Sequence, residues 1–304
     1  MNVLFRCDSS ENIGLGHLMR DLVLAKKLKG RIFFASRELK GNANHKIKES
    51  GFVYVPLKDE SFETFKKVIL DCHIDIVIFD HYGIDASFEE RVKKTGVKTV
   101  SFDDTYKKHG SDLVINPNFG ANLKRYPQKA ISLAPLIRDE FFDVKKRKRV
   151  GIKKVFISFG GSDPKNLALK TLKVFQNKKY DISLVITSSN KNRTLLKRYA
   201  RKHKNIKIYM DYPKIAKLFY ENDFAVVSAS TISSEALVSG IPFVAVMSVD
   251  NQKEVFGFLK RKRFYVLKDV NRIKITEKRY KELLKRVEIF RIKRGEIDLF
   301  KELS

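Results

Sequence analysis

Tryptophan is absent from the 304 residues, cysteine occurs only twice and proline seven times. Two cysteines, Cys7 and Cys72, cannot build a disulfide framework, and no paired Cys/His spacing suits a structural zinc, so reduced thiols are expected. No uninterrupted apolar run approaches the ~18 residues needed to cross a bilayer. The opening Met-Asn-Val-Leu-Phe-Arg-Cys-Asp lacks the basic-then-apolar pattern of an export signal. A cytoplasmic protein without a membrane partner is therefore expected. Negative charge is also scarce: 35 acidic residues stand against 62 basic ones, a formal net charge of +27. The surplus is uneven, since residues 1–140 carry 23 Lys/Arg and 19 Asp/Glu whereas residues 141–304 carry 39 and 16. Such a basic half suits a nucleic acid backbone, a nucleotide diphosphate or an anionic membrane face. Biased composition is an equal explanation, because Lys, Asn, Ile and Phe are all abundant.

What is present is enough apolar residue, 43 %, for two cores, and at roughly 100 to 200 residues per domain the length points to two. Short apolar runs alternate with segments of helical period. The strand candidates 3–6, 31–35, 53–56, 75–79, 97–102 and 112–115 are separated by helix candidates such as 18–28, 62–70 and 87–94. This alternation predicts a parallel sheet covered on both faces. It stops at a polar stretch containing Lys145-Lys-Arg-Lys-Arg149 and restarts at Val155. The expected organisation is α/β: a Rossmann-like doubly wound domain over 1–142, a basic linker over 143–153 and a second Rossmann-like domain over 154–270. A helical tail over 271–304 follows, with Tyr280, Leu283, Leu284 and Val287 at helical spacing. Two such sheets are expected to face a cleft fed by the loops at their strand ends.

Several of those loops carry chemistry. Gly14-Leu-Gly16-His17 opens a helix, where glycines admit a close ligand and free N–H groups favour negative oxygens. A helix start disfavours an imidazolium, so His17 is expected to stay neutral near pH 7 and able to accept a proton. Asp8 on the same loop either orients that ring or bonds local backbone. Asp80-His-Tyr82-Gly ends a later strand, and Tyr82 can bond or stack on a sugar. Asp103-Asp104 reads as a turn or as a cation site. Phe159-Gly160-Gly161-Ser162-Asp-Pro164 joins a strand to a helix and is a phosphate-cradle candidate, with Pro164 expected in the first helical turn. It matches neither a Walker loop nor G-x-G-x-x-G. Ser230, Thr231 and Glu235 sit at another strand-to-helix join, where Glu235 either completes a capping box or bridges ribose hydroxyls. Asn251 and Gln252 offer amides to hydroxyl or acetamido groups.

Taken in order, Val3-Leu-Phe-Arg-Cys-Asp-Ser-Ser10, Gly14-Leu-Gly-His17, Arg20-Asp21, Asp80-His-Tyr-Gly83, Ser101-Phe-Asp-Asp104, Leu136-Ile-Arg-Asp-Glu-Phe141, Gly160-Gly-Ser-Asp163, Ser228-Ala-Ser230, Glu235-Ala-Leu237 and Asn251-Gln252 resemble one family. It is that of the UDP-2,4-diacetamido-2,4,6-trideoxy-β-L-altropyranose hydrolases of pseudaminic acid synthesis, which have the B-type glycosyltransferase architecture. The similarity runs from residue 1 to about 267. The resemblance implies that His17 is the general base that activates water at the anomeric carbon, with inversion and release of UDP. It further implies that Gly160, Gly161 and Ser162 lie near the diphosphate with Ser230 and Thr231, that Glu235 holds the ribose and that backbone near Met210 meets uracil. Asp8, Gly14, Gly16, Tyr82, Arg138, Asn251 and Gln252 would meet the sugar side of the substrate. No metal, cofactor or nucleic acid enters this reading, and a monomer is expected. An inverting glycosyltransferase of the same fold, with His17 activating an acceptor hydroxyl, is the alternative. A basic nucleic-acid-binding module is a second.

Overall fold

The computed structural model of the protein describes residues 1–133, 136–145, 147–161, 163–290 and 299–303. The chain forms two compact units. The first is Met1–Leu136 joined by the terminal segment that bears the helix Leu299–Leu303, and the second begins at Ile137.

The first unit is built on seven parallel strands: β1 (Asn2–Cys7), β2 (Arg31–Arg37), β3 (Val53–Leu57), β4 (Ile76–Asp80), β5 (Lys98–Phe102), β6 (Leu113–Asn116) and β7 (Ala130–Ser132). Their order in the sheet is β3-β2-β1-β4-β5-β6-β7. Helices α1 (Gly16–Ala25), α2 (His45–Glu49), α3 (Phe62–Asp71) and α4 (Ala86–Lys93) cross between them. Side chains alternate across a strand, so both faces of this sheet must be covered. Val3, Phe5 and Cys7 of β1 pack with Leu18, Leu22 and Ala25 of α1 on one face, whereas Leu4 joins Phe65 and Ile69 of α3 on the other. Ser61 and Asp85 cap α3 and α4 by accepting the N–H groups of Thr64 and Phe88, which starts two helices on sequence signals that the chain carries locally.

The second unit repeats the plan. Helix α5 (Asp139–Phe142) precedes a six-stranded parallel sheet of β8 (Lys154–Ser158), β9 (Asp181–Ile186), β10 (Ile206–Met210), β11 (Phe224–Ser228), β12 (Phe243–Val246) and β13 (Tyr265–Leu267). The order is β10-β9-β8-β11-β12-β13, the same winding as in the first unit. Helices α6 (Leu167–Phe175), α7 (Arg193–Arg201), α8 (Ile215–Glu221), α9 (Thr231–Ser239) and α10 (Lys253–Arg261) link the strands, and α11 (Glu277–Ile289) follows them. Tyr280 and Leu283 of α11 are buried in the core that Val155, Leu172 and Phe224 share. The final helix, α12 (Leu299–Leu303), belongs instead with the first unit, where Leu303 packs against that unit's core and Lys129 pairs with Glu302. The expected single tail over 271–304 is thus divided between the two units, and its residues 291–298 and 304 lie outside the described residues. Among the described residues no helix is long and apolar enough to cross a membrane.

The basic stretch read as a linker is fastened to the second unit. Arg149 donates to the carbonyls of Phe219, Asn222 and Gly240, the exits of α8 and α9. Arg147 pairs with Asp223, whose other oxygen accepts the backbone N–H groups of Lys153 and Lys154. Helix ends leave carbonyls unsatisfied and carry partial negative charge, which a guanidinium fork neutralises. Arg149 therefore closes two helices and Arg147 forms an ion pair, and Lys146 lies outside the described residues. Arg149→Ala is expected to lower the unfolding free energy by about 1.5–3 kcal/mol, the range for hydrogen bonds to a charged group. The exposed Lys148→Ala should change it by less than about 0.5 kcal/mol. Urea denaturation of both variants checks the contrast.

Candidate functional site

In each sheet the strand order reverses between the first strand and the fourth, and ligands of such folds bind outside the carboxyl ends of strands at that point. In the first unit the reversal lies between β1 and β4, whose last residues, Cys7 and Asp80, are register partners. The loop leaving β1 folds back on itself: the Ser10 hydroxyl accepts the N–H groups of Asn12 and Ile13, and Gly14 donates to the Ser10 carbonyl. Gly14 closes this loop at φ +83°, a conformation that penalises any residue with a Cβ. Gly16 then starts α1, with His17 in its first turn and no side chain capping the helix.

His17 Nδ1 lies 2.5 Å from Asp80 Oδ1. Arg20, one turn further along α1, grips the same carboxylate through Nη2 to Oδ1 at 2.5 Å and Nε to Oδ2 at 2.8 Å. Asp80 is 2 % exposed. Burial opposes its charge, but Arg20 and His17 overcome burial and hold the carboxyl well below the usual range. An ionised Asp80 keeps the imidazole proton on Nδ1, so the lone pair of the neutral ring is on Nε2. The Tyr82 ring stands edge-on to the imidazole, 4.8 Å between centroids, and its hydroxyl donates to Asp104.

Of the two roles open to Asp8, orienting His17 or bonding backbone, the structure supports the second through the Arg37 N–H, and the carboxylate at His17 is that of Asp80. Asp8 is buried among other partners: Arg6 Nη1 at 2.8 Å, the Arg37 backbone and Nε both at 2.8 Å, and His81 Nε2 at 3.1 Å. With both oxygens taken, it anchors the end of β1 and offers no free acceptor to a sugar. Asp8, Glu60 and His81 do bring three ligand-type atoms within 4.8 Å of one another. Arg37 pairs with both carboxylates and Arg6 with Asp8, however, so the cluster is already neutralised by cations that would repel a metal ion. Asp103 is likewise spent on a turn, accepting from Thr105, Tyr106 and Tyr126.

The second unit presents its own switch point between β8 and β11. After β8 the chain turns through Gly160 at φ +85°, and the Gly161 carbonyl accepts from Thr187 Oγ1. Ser162 lies outside the described residues. Pro164 is not in a helix, because Asp163 takes a left-handed conformation and its carboxylate accepts the N–H groups of Leu167 and Ala168 at 2.8 and 2.9 Å. The first N–H groups of α6 are therefore satisfied from within the chain, and what this loop offers an anion is the backbone around Gly160 and Gly161. Helix α9 differs: Ser230 stands at its N-cap without capping it, its hydroxyl paired with that of Ser228, and Thr231 beside it is exposed.

Glu235 is one turn into α9 and does not form a capping box. Its Oε1 accepts Nε and Nη2 of Arg138 at 3.1 and 3.0 Å. Arg138 also pairs with Glu140 and lies over the Phe141 ring. Arg138 and Glu235, 97 residues apart, thus form one unit. Burial raises the Glu235 carboxyl to about 7 against the pull of Arg138. Met210 is half-exposed at the end of β10, and Asn251 is exposed. Gln252 is corrected in part, since its carbonyl oxygen accepts from the backbone and hydroxyl of Ser248 and cannot also accept from a sugar.

The Glu235 carboxyl has a linked effect on stability. A group at 4.5 when unfolded and about 7 when folded binds its proton more tightly in the folded state, so stability falls as pH rises across that window and levels off above it. Glu235→Gln does not titrate. Its unfolding free energy relative to the wild type is expected to rise by on the order of a few kcal/mol between about pH 4.5 and 8, which urea denaturation at both ends reads.

No family model matches the chain. A UDP-2,4-diacetamido-2,4,6-trideoxy-beta-L-altropyranose hydrolase from Campylobacter jejuni is 38 % identical over 276 residues, covering 88 % of this chain and 98 % of that protein. An uncharacterised Methanocaldococcus jannaschii protein is 30 % identical over 293 residues, covering 86 % of this chain and 59 % of its own. Among solved structures, MurG of Acinetobacter baumannii superposes with a TM-score of 0.66 at 12 % identity over 95 % of both chains. The glycosyltransferase VinC in complex with dTDP does so with a TM-score of 0.57 at 13 % identity, over 95 % of this chain and 94 % of its own. The fold is that of the B-type glycosyltransferases, and identity sustained along almost the full length of both partners places the chain in the family of the UDP-2,4-diacetamido-2,4,6-trideoxy-β-L-altropyranose hydrolases, enzymes that release UDP.

Proposed function

We propose that the protein hydrolyses UDP-2,4-diacetamido-2,4,6-trideoxy-β-L-altropyranose to the free sugar and UDP, in pseudaminic acid assembly, by attack of water on the anomeric carbon with inversion. The observation that carries this reading is the Asp80–His17 contact at 2.5 Å, which reserves Nε2 for the proton of the attacking water. A positioned base of this kind contributes about 10²- to 10⁴-fold. The departing oxygen of UDP is already acidic, so one base suffices where an ordinary glycosidase needs two carboxylates. Tyr82, edge-on to His17, and the exposed Asn251 meet the sugar, with Gly14 and Gly16 leaving room for its approach.

The second unit supplies the nucleotide half. Backbone donors at Gly160 and Gly161, together with the uncapped start of α9 at Ser230 and Thr231, receive the diphosphate. Glu235, steadied by Arg138, receives the ribose hydroxyls, and backbone beside Met210 receives uracil. Two hydroxyls donating to Glu235 favour its anion. UDP binding is thus expected to release a proton near pH 7 and to tighten as pH rises from about 6 to 8. Calorimetry in buffers of different ionisation enthalpy reads this, and Glu235→Gln should show no such linkage.

The reaction is followed by NMR with the UDP-sugar and no acceptor. Stoichiometric UDP, an inverted first anomer and indifference to EDTA are expected, whereas absence of turnover without an acceptor would favour a glycosyltransferase. His17→Ala is expected to lose about 10²- to 10⁴-fold in kcat while retaining UDP affinity. Asp80→Asn should lose activity by about 10²-fold or more, because the imidazole no longer has an anion to fix its tautomer. Unchanged turnover in His17→Ala would remove the base assignment.

A further inference from the structure

Asp21 sits one turn beyond His17 on α1 and is fully enclosed, at 0 % exposure. Among the described residues, neither of its carboxyl oxygens has a hydrogen-bond partner. The groups that act on its charge are the Asp80 carboxyl, the Arg20 guanidinium and the Cys7 thiol. The ionisable groups facing it come from three elements: Arg20 on its own helix, Cys7 at the end of β1 and Asp80 at the end of β4. Two carboxyls that act on each other in a dry interior resist being ionised together. Asp80 receives three bonds from Arg20 and His17 that favour its anion. Arg20 spends both of those donors on Asp80, so the proton of the pair resides on Asp21. Burial first, and then the charge of Asp80, push the Asp21 carboxyl well above the usual range.

We propose that Asp21 is a protonated positioning residue whose O–H donates to Asp80, so that the carboxylate facing His17 is held in place from behind. The chain of groups then runs from Asp21 through Asp80 to Nδ1 of His17. An ionised Asp21 would add a second buried negative charge under the imidazole, and an apolar residue would free Asp80 to turn. The proposal rests on His17 being the base only for its kinetic consequence; the bound proton is a property of the resting protein.

Infrared spectroscopy at about pH 9, where Glu235 is ionised, reads the C=O stretch of a protonated carboxylic acid. A band in the wild type that Asp21→Asn abolishes is expected. Absence of such a band from the wild type would overturn the proposal. Carbon-13 labelling of the aspartate carboxyls assigns it within the wild type should the variant not fold. In kinetics, Asp21→Asn keeps a neutral donor of the same shape and should retain kcat within about threefold. Asp21→Leu keeps the shape but no donor, leaves more charge on Asp80, and should lower kcat about tenfold while moving the acid limb of kcat/KM to higher pH. Asp21→Asn as inactive as His17→Ala, or an Asp21→Leu profile that overlays the wild type, would also overturn it. An active His17→Ala would instead refute the base assignment while leaving the infrared result intact.

Discussion

A carboxylate that is 2 % exposed is the feature on which the amino-terminal half depends. Removing an ion from water costs several kcal/mol, and only excellent geometry recovers it. Asp80 has that geometry because parallel pairing sets it beside Cys7 at the end of β1, directly under the start of α1. From there Arg20 closes on both of its oxygens and His17 on one. His17, Arg20 and Asp21 are three and four residues apart, the spacing that puts side chains on one helical face. The same face that packs α1 onto the sheet thus carries the histidine proposed as base, the arginine that clamps its carboxylate and the enclosed acid.

The carboxyl-terminal half meets the same physical problem and resolves it differently. Glu235 is also buried, but Arg138 reaches only one of its oxygens and divides its fork with Glu140. Weaker compensation leaves Glu235 near 7, whereas Asp80 stays ionised. Environment has separated two carboxyls, one held as an anion beneath a histidine and the other raised to about 7.

The alternation of strands and helices was legible because each central strand is a nearly continuous apolar run. Both sheets follow the winding that such alternation implies. Strands β7 and β13 were not legible: each has only three residues, none of them buried, too few to show a period. Pro164 pointed to a helix start three residues early, because the left-handed turn at Asp163 and its side-chain cap on Leu167 have no signature in composition. Arg149 looked solvated because the carbonyls it closes are 70 to 91 residues away. His17 could be singled out from its own glycine loop, but its partner Asp80 is 63 residues distant. That pairing becomes visible only once β1 and β4 are known to be neighbours, and the nearby Asp8 could be given either of two roles until then.

The catalytic reading turns on which ring nitrogen of His17 carries the proton, and nitrogen-15 NMR of that ring reads it. In the neutral ring of the wild type, Nδ1 is expected to show the one-bond coupling of an N–H and Nε2 the shift of a lone-pair nitrogen, with Asp80→Asn erasing the preference. A ring protonated at Nε2 in the wild type would turn the lone pair toward Asp80 and away from any water, and would contradict the account.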